Sequence, residues 1–159
     1  MEDRKILKLK TYMKICRDLS ALSHDTKYAV AAIAITDNFS EICGIGYNGD
    51  YSGGPNVRTN FDHGKSGFIH SEANLLTHIG RPYELRKNLI IMCTHKPCTM
   101  CAKLIVNSGI KRVVYDEDYV DELCGTDDVF RDSGISCRKL SSLVKSEIAV
   151  RDFLSSRDS

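Results

Sequence analysis

The sequence predicts an α/β fold: a three-layer α/β/α sandwich around a mixed central sheet of about five strands. Three observations predict it. Two apolar runs, YAVAAIAIT at 28–36 and EICGIGY at 41–47, flank an Asp37-Asn38 turn and so read as an antiparallel hairpin. Beyond residue 67, helical and strand patterns alternate, which is how parallel strands are connected. The first strand and NLIIMCT at 88–94 are continuous apolar runs, so helices must cover both faces of the sheet.

Each element follows in turn. Residues 4–22 space Leu9, Tyr12, Met13, Cys16 and Leu19 as one helical face. The hairpin comes next. From 48 to 67 the chain turns to Gly, Pro, Asn, Ser and charge, and a loop this long is uncommon unless it has a task. A helix is expected over 70–79, with Ser71 and Glu72 in its first turn and Gly80 with Pro82 ending it. After the strand at 88–94, a helix at 98–108 puts Cys98, Cys101, Ala102, Ile105 and Val106 on one face, and Gly109 closes it. IKRVVY at 110–115 is a strand. The tail reads as a helix near 127–132, a short strand near 135–140, and a polar amphipathic helix at about 141–155. That last helix is expected to lie peripheral to a single domain spanning 1–159.

Composition narrows the function. The formal net charge is +1 with both signs interspersed, unlike the basic stripe of a nucleic-acid groove, though a few local cations suffice for a small anion. No apolar run reaches membrane-spanning length, and MEDRKILKLK lacks a signal peptide's apolar segment, so a cytoplasmic protein without a membrane partner is expected. The seven irregularly spaced cysteines then read as buried thiols or metal ligands rather than disulfides.

Two stretches carry chemistry: FIHSEANLLTHIG at 68–80 and THKPCTMCAKLIVNSGI at 94–110. Cys98 and Cys101 are three apart, so both thiols leave the first turn of one helix in one direction. The partial positive charge of that helix start favours thiolate. His70 starts another helix. If the two helices lie side by side, one imidazole and two thiolates converge on a metal site. Three protein ligands leave one tetrahedral position open, the pattern of catalytic rather than structural zinc. Such an ion is a Lewis acid that brings the pKa of a coordinated water to about 7. Glu72, two residues past His70, is placed to carry protons over the open position. Alone, a Cys-x-x-Cys is more often redox-active, structural or buried, and a lone His-x-Glu is a surface accident. The joint pattern, with Pro97 before Cys98, is far more specific.

The sequence resembles the cytidine and deoxycytidylate deaminase superfamily, and within it the deoxycytidylate deaminases. The motifs are GYNGDYSGGPN at 46–56, IHSEANLL at 69–76 and PCTMCAKLIVNSGIKRVVYDEDY at 97–119; the likeness covers roughly residues 9–119, more loosely to 140. The resemblance implies the cytidine deaminase-like fold and hydrolytic conversion of dCMP to dUMP and ammonia. It implies one zinc ion held by His70, Cys98 and Cys101, with Glu72 as proton shuttle for the attack of water at carbon 4. It also implies substrate contacts from Asn48, Gly49, Ser71, Tyr119 and the Lys96-Pro97 segment, whose Lys96 carbonyl would accept from the substrate amino group. A homo-oligomer, commonly a hexamer, and regulation by dCTP and dTTP, with Mg2+ accompanying the effector, complete what the family implies.

Lys27, Arg58 and Lys65 are candidate phosphate or effector contacts, with a solvated surface charge as the simpler reading. The family pattern is departed from at Ser71, where Ala is usual, and at Lys96, often Ser, where a cation near the pocket mouth would alter substrate choice. Some relatives carry a second, structural zinc from the long loop; His63 and His78 stand isolated, so none is expected here. Alternatives are deamination of dCTP, of 5-substituted dCMP, or of a base in tRNA or single-stranded nucleic acid, and a non-catalytic nucleotide sensor. Near-neutral charge opposes the nucleic acid, and the intact Glu72 opposes the sensor.

Overall fold

The structure, a computed structural model, describes residues 2–156. Helix α1 (Arg4–Ser20) starts where the Asp3 carboxylate accepts from the Lys5 and Ile6 N–H groups. Its buried stripe is Ile6, Leu9, Met13 and Cys16. Strands β1 (Ala31–Thr36) and β2 (Ile42–Tyr47) form the expected hairpin, antiparallel from Ala31 opposite Tyr47. β1 starts three residues later than its apolar run. Over that gap the Asn48 amide, not a strand, satisfies the backbone: Val30 N–H donates to Oδ1 at 2.9 Å, and Nδ2 donates to the Tyr28 carbonyl at 2.7 Å.

Helix α2 (Ser71–Thr77), strand β3 (Leu89–His95), helix α3 (Thr99–Ser108) and strand β4 (Arg112–Glu117) follow. Helix α4 (Thr126–Asp132) and strand β5 (Ser136–Lys139) complete the sheet. Its order is β2-β1-β3-β4-β5, with β1 antiparallel to both neighbours and β3, β4 and β5 parallel. This is the expected mixed five-stranded sheet between helical layers. α1 covers the face carrying Ile33, Ile35, Ile90, Met92 and Val114; α2, α3 and α4 cover the face carrying Ala32, Ala34, Ile91, Cys93 and Val113. Gly109, at φ 85°, takes the left-handed conformation that ends α3.

Two features depart from expectation. A 3-10 turn at Tyr83–Asn88 leads into β3; it buries none of its residues, so no apolar periodicity announces it. The C-terminal helix is not peripheral. It divides into α5 (Leu140–Leu143) and α6 (Glu147–Ser155), with the Ser146 hydroxyl capping the second at Ala149 N–H. Leu140 and Leu143 of α5 and Val150 and Phe153 of α6 are buried in the α1-side core, so a few apolar side chains dock this otherwise polar segment.

The opposite layer sits close to the sheet because β2 offers no side chain at Gly46. A Cβ there would lie 2.3 Å from the Ser71 carbonyl oxygen and 2.4 Å from Leu75 N, both backbone atoms of α2 that cannot swing aside. Gly46→Ala is therefore expected to push α2 away from the sheet and cost about 1–3 kcal/mol or more. In a chain of 159 residues that is a fall in melting temperature of roughly 2–12 °C. A thermal melt within about 1 °C of the parent would contradict this close approach.

Candidate metal centre and its pocket

α2 and α3 lie on the same face of the sheet and bring their N-termini together. His70 is the residue at the start of α2, and Cys98 holds the same position on α3. The approach to α2 is fixed by a bridge in which Gly49 N–H donates to the Ile69 carbonyl at 3.2 Å and Ile69 N–H to the Gly49 carbonyl at 2.8 Å. His70 Nδ1 lies 3.5 Å from Cys98 Sγ and 3.5 Å from Cys101 Sγ, and the three ligand atoms lie within 4.8 Å of one another.

The donor set fits zinc. Tetrahedral zinc with Zn–N near 2.0–2.1 Å and Zn–S near 2.3 Å separates its nitrogen and sulfur ligands by about 3.5 Å. Among the described residues the group has three members, which leaves one tetrahedral position for water or substrate. Contact with the Cys101 thiol, then with the His70 ring, holds the Cys98 thiol well below its ordinary value despite its burial. The buried Cys16 and Cys93 and the half-buried Cys137 behave differently. Burial pushes Cys16 and Cys137 up to about 12 and Cys93 well above its usual value, so these are inert packing groups.

Glu72 is 4% exposed, and its Oε2 accepts from the Ser71 hydroxyl at 3.0 Å. Burial raises its carboxyl above the ordinary range, although its own backbone N–H and His70 pull the other way. A carboxyl so placed holds a proton more readily than a solvated one. One pocket carries His70, Glu72 and Cys98 in its lining together with Asn48, Lys96 and Tyr119.

The remaining predicted residues are placed as follows. Asn48 is buried with its amide committed inside the chain: besides Val30 and Tyr28, it bonds the Ser23 hydroxyl at 2.6 Å and Asp25 at 3.2 Å. It braces the pocket wall rather than offering a free amide. Lys96 is a cation at the pocket, with its ammonium paired to Asp127 at 2.8 Å. The Pro97 carbonyl accepts from the Thr126 hydroxyl at 2.9 Å. Tyr119 stacks on His63 with ring centroids 4.9 Å apart, and His63 Nε2 donates to the Val120 carbonyl at 2.9 Å.

Arg58 overturns its simpler reading. It is a buried side chain, 4% exposed, paired with Asp25 at 2.6 Å. Lys27 instead donates to the Phe61 carbonyl at 2.8 Å, and Lys65 is an exposed partner of Glu122 at 3.7 Å. The sequence reading missed Asp25 and Asp121. The Asp121 carboxylate accepts from the Thr99 N–H at 2.6 Å and the Cys124 N–H at 2.8 Å, anchoring the first turn of α3 from outside. An acid in a loop gives no periodic signal, and nothing local to Asp121 marks it.

An α/β/α fold with one imidazole and two cysteine sulfurs converging near the buried Glu72 defines the class: a zinc-binding protein of the deaminase type. The model of the cytidine and deoxycytidylate deaminase zinc-binding region matches residues 7–117, and the chain belongs to that family. It is 39% identical over 67 residues to the deoxycytidylate deaminase of Enterobacteria phage T2, covering 42% of this chain and 36% of that protein. It is 35% identical over 78 residues to ComE operon protein 2 of Bacillus subtilis, covering 46% and 41%. The chain therefore spans well under half the length of these curated relatives. The dCMP deaminase of cyanophage S-TIM5, solved in complex with dCMP and dUMP, superposes with a TM-score of 0.72 at 28% identity, over 87% of this chain and 99% of that one. Among the described residues no helix is long and apolar enough to cross a membrane.

Proposed function

We propose that residues 1–159 form one domain that deaminates dCMP hydrolytically, consuming water and releasing dUMP and ammonia, and so supplies dUMP for thymidylate synthesis. The observation that carries this reading is the His70–Cys98–Cys101 cluster with Glu72 buried in the same pocket. The likeness to the cyanophage enzyme over nearly its whole length supports dCMP as the substrate.

His70, Cys98 and Cys101 would hold zinc, which when bound supplies a Lewis acid for water activation. Glu72 takes one proton from the attacking water and gives it to the pyrimidine ring nitrogen beside carbon 4; it then takes the second from the new hydroxyl on carbon 4 and gives it to the amino group, which leaves as ammonia as the carbon–nitrogen bond breaks and the carbonyl forms. Ser71 fixes the Glu72 carboxylate through its 3.0 Å hydrogen bond, so the proton is carried at a set position. The Lys96 carbonyl accepts from the substrate amino group, Pro97 sets that carbonyl's direction, and Tyr119 lies over the pocket. Asn48 and Gly49 act by holding the pocket's backbone.

A homo-oligomer with dCTP and dTTP as effectors, the former with Mg2+, belongs to the same proposal; the exposed Ile42 and Ile45 on edge strand β2 support association. All seven cysteines are free, which supports the cytoplasm as the compartment.

The test is a deamination assay on zinc-loaded protein comparing dCMP, dCTP, 5-substituted dCMP, cytidine and a short single-stranded oligonucleotide. dCMP is expected to lead in kcat/KM by about tenfold or more. Preference for the oligonucleotide, or no release of ammonia from any of them, overturns the reading.

A further inference from the structure

We propose that the buried Asp25–Arg58 ion pair is a positioning pair for the nucleotide reaction, clasping loop 57–67 onto the 23–30 segment and thereby fixing the pocket wall formed by Tyr28 and Asn48. The inference rests on the nucleotide reading above for its consequence, but the clasp itself is a matter of geometry. Asp25 Oδ1 accepts from Arg58 Nη1 at 2.8 Å, from Lys27 N–H at 2.8 Å and from Tyr28 N–H at 3.1 Å. Its Oδ2 accepts from Arg58 Nη1 at 2.6 Å and from Asn48 Nδ2 at 3.2 Å. One carboxylate therefore ties together three stretches of chain that share the pocket with His70 and Glu72.

The pair is a poor device for stability alone. Both side chains are nearly excluded from water, at 4% and 2% exposed, and desolvation offsets most of what such a pair gains. Arg58 Nε is buried and finds no hydrogen-bond partner among the described residues, which adds to the cost. What the pair does supply is a fixed position. The guanidinium also lies over the Tyr28 ring at 5.9 Å and the Phe61 ring at 5.4 Å, and Lys27 donates to the Phe61 carbonyl. Further along the same loop, His63 bonds Val120 and stacks on Tyr119, while Lys65 meets Glu122. The loop is thus a strap fastened to two walls of one pocket, and Asp25–Arg58 is its buried fastening.

The test uses zinc-loaded protein and two readouts: amide hydrogen exchange over 57–67, and calorimetric affinity for dUMP, which is not turned over. In Arg58→Met, loop amides are expected to exchange about tenfold faster or more. The dUMP dissociation constant is expected to rise about tenfold, with zinc content unchanged. Arg58→Lys keeps a cation with a single nitrogen able to serve both oxygens, so it should fall between the two and remains informative should the Met variant fold poorly. Unchanged exchange, or faster exchange with dUMP affinity within about twofold of the parent, overturns the proposal. Parent protein that neither deaminates dCMP nor binds dUMP overturns the nucleotide reading, while the exchange readout still decides the clasp.

Discussion

Glu72→Gln is expected to keep zinc at the parent stoichiometry, keep the fold, and lower kcat on dCMP by about 10²–10⁴, the usual worth of a positioned acid–base group. The amide matches the carboxylate in shape and can still accept from the Ser71 hydroxyl, so geometry is preserved while proton transfer is lost. The effect should fall on kcat with little change in KM, because the proton is needed in the transition state more than in the bound complex. Stability separates this role from a structural one. Glu72 is 4% exposed, and burial disfavours its ionised form. Removing that charge is therefore expected to leave the melting temperature unchanged or raised, as at other functional sites where a buried charge is kept for activity. Metal analysis, a thermal melt and initial rates on one preparation decide it. A Glu72→Gln variant within about tenfold of parent kcat would remove the proton shuttle from the mechanism.

Most of the architecture was legible because it rests on patterns that repeat. Buried strands declare themselves as runs of Ile, Val and Ala, and the His70, Glu72, Cys98 and Cys101 positions follow from helix starts, where spacing fixes direction. What escaped was set by single long-range contacts. Arg58 and Asp25 are 33 residues apart, and nothing local to either says that they meet. Asn48 is expected from the resemblance to contact substrate, yet its amide is bonded to the backbone just before β1. The docking of α6 depends on Val150 and Phe153 reaching the α1-side core, which the polar face of that helix conceals. Gly46 has a different lesson. In sequence it is a small residue in a strand; in the fold it is the contact that lets α2, and hence His70 and Glu72, approach the sheet. The convergence of His70, Cys98 and Cys101 was readable because these residues sit at two helix termini, whereas the walls around them are built from residues scattered along the chain.

Removing the metal is expected to abolish turnover and to destabilise the fold together. The three ligands join the N-terminal ends of two helices, and the unfolded chain cannot present them at these distances. Anything bound to the native state alone adds RT ln(1 + [L]/Kd), about 2.7 kcal/mol at a hundredfold excess over Kd. For a domain of this size that corresponds to a fall in melting temperature of roughly 5–11 °C on chelation. Cys101→Ala should behave likewise without chelator: its thiol is 3% exposed, and an alanine leaves His70 and Cys98 as an incomplete pair. The variant is expected to carry substoichiometric zinc, to melt with the stripped parent, and to show no further fall when chelator is added. Returning zinc should restore both the melting temperature and dCMP turnover to the stripped parent but to neither property of Cys101→Ala. The comparison discriminates because a buried structural thiol would also lower stability on truncation, yet would leave the response to chelator intact. Cys101→Ala that binds zinc at full stoichiometry, or a stripped parent that melts and turns over as before, would show that these three side chains do not form the metal centre.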